Sequence, residues 1–243
     1  MSTVSHEPVK APAAVRGRAA PSMRATVAAL LRKELLIELR TLESVPGMSL
    51  FAVTIFVVFH FALNQNSLAG NEAAGVLWVT LLLGAMLGVN RLFVADSDQG
   101  GFDAFMLAPV NRSALLLAKA SALALYLLVL ELVAVPAFAL LLAGASLGHA
   151  FPTLLAVLAL ADAGVAVIGT LVAAIAVRTR ARDLLGPLLA LPLLIPVVIG
   201  SARASAPLFG AQGSSGRWLL MLALYDLVFG LISYAVFDFL LED

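Results

Sequence analysis

The chain has no cysteine and is poor in charge and in aromatic residues. Without a thiol there is no disulfide framework, no thiolate metal site and no cysteine nucleophile. Only 12% of the residues are charged while 62% are apolar, and the mean hydropathy is +1.03. Such values lie far from globular usage, so a water-soluble core is excluded and an all-α, polytopic membrane bundle is expected. Also missing are G-x-x-x-x-G-K-[ST], H-E-x-x-H and any cluster of His, Asp and Glu at ligand spacing. The chain therefore carries no nucleotide site and no catalytic metal of its own, and is not expected to be an enzyme. Gly213-Ser214-Ser215-Gly216 resembles a serine elbow only superficially, because no histidine lies near it to act as base.

Residues 1–21 are small and polar, interrupted by Pro8, Pro12 and Pro21, and read as a disordered basic tail with no apolar signal-peptide core. Over residues 22–44, Ser22 offers an N-cap and Leu31, Leu35, Leu39 and Leu42 share a helical face flanked by Arg24, Arg32, Lys33 and Arg40. This predicts a helix lying along the membrane surface, edged by Glu34 and Glu38; the alternative is an ordinary helix packed on a partner protein. A transmembrane helix needs roughly 20 apolar residues to cross ~30 Å of hydrocarbon. Six runs within residues 46–243 meet that length, near 46–64, 73–94, 114–140, 150–177, 184–202 and 218–240. Pro136 predicts a bend in the third, and Pro187, Pro192 and Pro196 predict an interrupted fifth helix held inside the bundle.

Six spans put both termini on one side. Of the fifteen Lys and Arg residues, thirteen fall on that side, including Arg91, Arg112, Lys119, Arg178, Arg180 and Arg182, and only Arg203 and Arg217 on the other. The basic side is expected to be cytoplasmic, with loops at 95–113 and 178–183.

The 95–113 loop mixes polar and apolar residues and cannot lie in lipid. Gly100-Gly101 frees the backbone, Phe102-Asp103-Ala104-Phe105-Met106-Leu107 reads as a short helical piece, and Ala108-Pro109 ends it. A chain without a nucleotide site must receive work mechanically, and a rigid helical loop suits a groove on a soluble ATPase. Gly100, Gly101, Phe102, Asp103, Phe105, Met106, Leu107, Ala108 and Pro109 are the candidate ATPase-coupling residues, flanked by the surface helix and by Phe237 to Leu241. Two ATP sites form between two ATPase copies, so two copies of this chain are expected per complex.

Within the spans, Glu131 and Asp162 lie midway through the third and fourth, and Asp226 lies in the sixth. Each costs ~3 kcal/mol or more at the bilayer centre, so Glu131 and Asp162 are candidates for an intramembrane polar seam. The bland reading has them hydrogen-bonded between helices, with Tyr126, Thr170 or Ser233 as partners. His60 and His149 are conceivable haem-iron ligands, though a lone histidine in apolar surroundings is more often an ordinary interface residue. Trp78 and Trp218 read as interfacial anchors.

Lys33-Glu34-Leu35, Glu38-Leu39-Arg40-Thr41, Gly75-Val76-Leu77-Trp78-Val79, Gly88-Val89-Asn90-Arg91, Gly100-Gly101-Phe102-Asp103, Leu107 to Ser113, Lys119, Glu131 before Pro136, and Val177 to Asp183 follow one another in an order that closely resembles the CcmB family. CcmB is the haem exporter B subunit of cytochrome c maturation, and the likeness spans roughly residues 24–241. The resemblance implies a six-span permease of an ABC type, working with the ATPase CcmA, the haem-handling CcmC, the small protein CcmD and the periplasmic haem chaperone CcmE. ATP and Mg would lie in the partner subunit, with haem as a handled ligand. The acidic Asp96-Ser97-Asp98 run and the extended N-terminal tail depart from the family pattern. Competing readings are an ion-coupled secondary transporter, which would need inverted repeats that the chain does not display, and a non-transporting membrane scaffold.

Overall fold

The computed structural model describes residues 22–63, 67–92, 112–143, 151–176 and 182–240, and among these there is helix and no strand. Helix α1 (Met23–Thr41) starts where the Ser22 Oγ accepts from the Ala25 amide, and stops at Leu42, which takes a left-handed conformation. Then follow α2 (Ser44–Ala62), α3 (Gly70–Arg91), α4 (Arg112–Phe138, continued by a π-turn over Ala139–Ala143), α5 (Phe151–Ala176), α6 (Arg182–Ser205, followed by a 3-10 turn over Ala206–Phe209) and α7 (Gly216–Leu240). Six of them, α2 to α7, are long and apolar enough to cross a membrane. The protein is thus the polytopic helical bundle that its composition demands.

Helices α3 and α5 are mostly buried, whereas α2 and α7 turn most of their surface outward. Helix α5 packs against α6, α7 and α4, α3 packs against α6, α2 and α4, and α1 lies on α4. Lipid is as apolar as leucine, so such helices associate by close packing, which small residues permit. A Cβ on Gly169 of α5 would sit 2.7 Å from Val89 Cγ2 of α3, and one on Gly88 would sit 3.0 Å from Met48 Sδ of α2. A chain of ring contacts, tilted from Phe56 to Phe138 at 5.5 Å and T-shaped from Phe138 to Phe209 at 5.6 Å, joins α2, α4 and the 3-10 turn.

Pro136 stays within α4, which passes shortly after it into the π-turn, and carbonyls at the end of that turn find donors from elsewhere. The Leu68 amide donates to the Leu142 carbonyl at 2.6 Å, and His60 Nδ1 lies 2.6 Å from the Leu141 carbonyl.

Two expectations change. Helix α6 is not wholly interior: Ala190, Leu194, Val197, Ser201 and Ala204 form its buried stripe, while Leu188, Pro192, Ile195 and Ile199 lie on an exposed one. It stays helical throughout, because each proline frees one carbonyl rather than breaking the helix. On α1, Leu39 and Leu42 are exposed, and the face against the bundle holds Leu31, Leu35, Thr26, Glu34 and Glu38.

The tail 1–21, the loop with Gly100 to Pro109, His149, Arg178 and Arg180, and the side chains from Phe237 onward lie outside the described residues.

Candidate functional site

At one end of the bundle four helices are clasped together. Lys119, in the second turn of α4, is 1% exposed, and a lysine so placed needs paired charge and full hydrogen bonding. Its Nζ lies 3.0 Å from Glu34 Oε2 and donates to the Leu92 carbonyl at 2.8 Å, just beyond the end of α3. Glu34 belongs to α1 and is held further by the Tyr126 hydroxyl, which donates to its backbone carbonyl at 3.4 Å. One turn on, Glu38 Oε1 accepts from the Ser44 and Val45 amides at 3.0 and 2.8 Å. A carboxylate of α1 thereby caps the first turn of α2, satisfying orphan donors and facing the positive end of its dipole. Arg91 adds an exposed ion pair with Glu43 at 2.9 Å, a minor contribution in water.

The coupling candidates Gly100 to Pro109 lie outside the described residues, but the roots of their loop are in this clasp. Leu92 leads into the loop and Lys119 follows its return, and both are tied to α1. Sequence patterning marked Glu34 and Glu38 as edges of an apolar face and Lys119 as one of the cations of the basic side, and family likeness touched all three without pairing them. The available signals were a glutamate pair at i, i+4 and a single lysine early in a long apolar run.

Deeper in the bundle the two acids of the third and fourth spans meet. Glu131 of α4 and Asp162 of α5 both line a cavity of about 20 Å³ with Trp78, Leu81, Val165 and Val197. The cavity is narrow, with space for only a water or two.

The helpers expected for these acids are not the ones used. Tyr126 is engaged with Glu34, and Thr170 and Ser233 have hydroxyls without a partner among the described residues. Asp226 of α7 stays apart from the pair. Its oxygens are buried and unpartnered among the described residues, and it fits only because α5 has glycine opposite: a Cβ on Gly164 would lie 2.5 Å from Asp226 Oδ1.

His60 satisfies a backbone carbonyl at the π-turn, and among the described residues no group of three His, Cys, Asp or Glu is placed to hold a metal. Trp78 is not an interfacial anchor. It is 4% exposed and donates from Nε1 to Ser205 Oγ at 2.8 Å, fastening α3 to α6. The hydroxyl opposite it is 127 residues away in sequence, so a position near the start of a span was misleading. Trp218 is half-buried at the start of α7, with the Arg217 guanidinium 5.6 Å from its ring centre.

Comparison with known proteins adds lineage to this geometry. The family described as CcmB protein matches residues 25–239. Heme exporter protein B of Pseudomonas aeruginosa is 32% identical over 209 residues, 85% of this chain and 92% of the relative. The protein of that name from Bradyrhizobium diazoefficiens is 33% identical over 213 residues, 84% of this chain and 93% of the relative. That from Rhodobacter capsulatus is 32% identical over 157 residues, 65% and 71% of the two chains.

Proposed function

The chain belongs to the CcmB family, and from that membership we propose that it is the permease subunit of an ABC-type complex in the haem export step of cytochrome c maturation. ATP is hydrolysed, with Mg, in a partner subunit corresponding to CcmA. CcmC, CcmD and the haem chaperone CcmE are the other expected partners. Two copies of the chain meet two ATPase copies, in a bacterial inner membrane with both termini cytoplasmic.

Support for mechanical coupling comes from the clasp. A push on the 95–113 loop reaches Leu92 at one root and Lys119 after the other. The buried Lys119–Glu34 pair and the Glu38 cap hand it on to α1 and α2. Apolar residues of the loop, Phe102, Phe105, Met106 and Leu107, are the anchors that seat it on the ATPase. Leu107→Asp is expected to abolish co-purification of the ATPase from detergent while membrane insertion stays intact. Recovery of the ATPase at normal yield overturns the proposal.

The same interior favours one of two modes of action. A porphyrin is far larger than a water or two, so the cavity beside Glu131 and Asp162 gives it no passage through a single copy. Release of haem-loaded CcmE, driven by movement of the bundle, fits this better than a channel within the chain. Purification of the complex with mass identification of its partners and a haem absorbance spectrum, with and without ATP, separates the two. Haem leaving together with the chaperone on ATP addition is expected; haem crossing in the chaperone's absence overturns it.

A further inference from the structure

The end of the bundle opposite the clasp holds another cavity, of about 450 Å³ and open to solvent, within the ~300–1,000 Å³ range of small-molecule sites. Arg203 from the last turn of α6 and Arg217 from the first turn of α7 both line it, together with Asn71, Gln212, Ser214 and Trp218. These two are the only basic residues on that side of the chain, and both converge on one cavity. Neither has an acidic partner among the described residues, and the acid adjoining Asn71, Glu72, does not line the cavity. Arg217 instead lies over the Trp218 ring.

The walls are preformed. The 3-10 turn over Ala206–Phe209 is closed by the Ala211 amide donating to the Ala206 carbonyl at 3.1 Å and the Gly210 amide to the Pro207 carbonyl at 3.2 Å. Gly210 (φ 97°) and Gly213 (φ 139°) take conformations open to glycine, which lets the loop double back beside α7. Below, Trp78 donates to Ser205 Oγ, which in turn donates to the Ser201 carbonyl, fixing the end of α6 from which Arg203 projects.

We propose that this cavity binds an amphiphile through its acidic oxygens, with Arg203 and Arg217 as the oxyanion clamp and Trp218 and Pro207 as the apolar wall. A guanidinium matches the two oxygens of a carboxylate or phosphate, and its weak hydration lets it sit at a membrane boundary. Two sources share this chemistry: the paired carboxylates of a porphyrin, and the phosphate of a lipid headgroup. The porphyrin source rests on the haem-handling role proposed above.

The test uses the full chain in phosphatidylcholine nanodiscs, titrated with iron protoporphyrin IX and with its dimethyl ester, following tryptophan fluorescence. A charged hydrogen bond contributes about 1.5–3 kcal/mol, so R203Q/R217Q is expected to weaken the diacid by at least about tenfold. The ester should bind wild type as weakly as the diacid binds the variant, and R203K/R217K should fall between. In a parallel arm, native mass spectrometry counts phosphatidylglycerol retained by wild type and by R203Q/R217Q. Loss of lipid in the variant without any arginine effect on the porphyrin assigns the clamp to a headgroup. Unchanged porphyrin affinity together with unchanged lipid retention overturns the site. ATPase co-purification is measured on the same preparations. A normal ATPase yield with a failed site leaves the permease role standing, whereas no ATPase with wild type removes that role whatever the titration shows.

Discussion

Lys119 and Glu34 illustrate how much one residue pair decides in this protein. Burying either charge alone is strongly unfavourable, and removing one partner of such a pair typically costs about 3–5 kcal/mol. Lys119→Met is therefore expected to lower the thermal stability in detergent sharply, read from tryptophan fluorescence on heating. The double variant Glu34→Gln with Lys119→Met should recover most of that loss, since no charge is left stranded. Equal instability of single and double variants would mean that the lysine acts through packing alone. At this scale the sequence was only half legible. It marked Glu131 and Asp162 as intramembrane acids but could not show that they face each other, because helix neighbours are set by packing and not by spacing. Trp78 was misread for the same reason, its partner Ser205 being supplied by a distant helix.

At the scale of the element, helix existence and length follow from the apolar runs. Burial direction does not follow so simply. Helix α1 shows why: its leucines predict a face for the membrane surface, whereas the Glu34 ion pair and the Glu38 cap decide which face meets the bundle. Helix crossings are governed by glycines whose role is invisible in a hydropathy profile. At Gly169 any side chain meets Val89 at 2.7 Å and Leu123 at 3.1 Å, so Gly169→Val should wedge α5 from α3 and α4. Overpacking of this kind costs about 1–3 kcal/mol. Gly230 of α7 is the control, since a Cβ there meets nothing within 4 Å. Gly230→Ala should be neutral or stabilising by up to ~1 kcal/mol. The fraction of monodisperse protein after a heat step, measured by size exclusion, distinguishes the two.

For the whole molecule, the absence of cysteine makes orientation directly measurable. Asp103→Cys in the coupling loop and Gln212→Cys beside the two-arginine cavity should react with an impermeant maleimide from opposite sides of inverted and right-side-out vesicles. Reaction of both from one side would refute the six-span arrangement, and reaction of residue 103 from the periplasmic side would refute the proposed coupling. Charge placement alone predicts this polarity, because Arg203 and Arg217 stand apart from the other thirteen cations. The cavity they line was not legible, since it depends on two glycine turns and a 3-10 segment bringing α6 and α7 together. The slender void beside Glu131 and Asp162 bears on the cell's energetics too. Its apolar surroundings and room for no more than a water or two provide no continuous wire for protons or hydrated ions. An idle copy reconstituted in vesicles is therefore expected to leave an imposed transmembrane voltage undischarged, as a potential-sensitive dye would report.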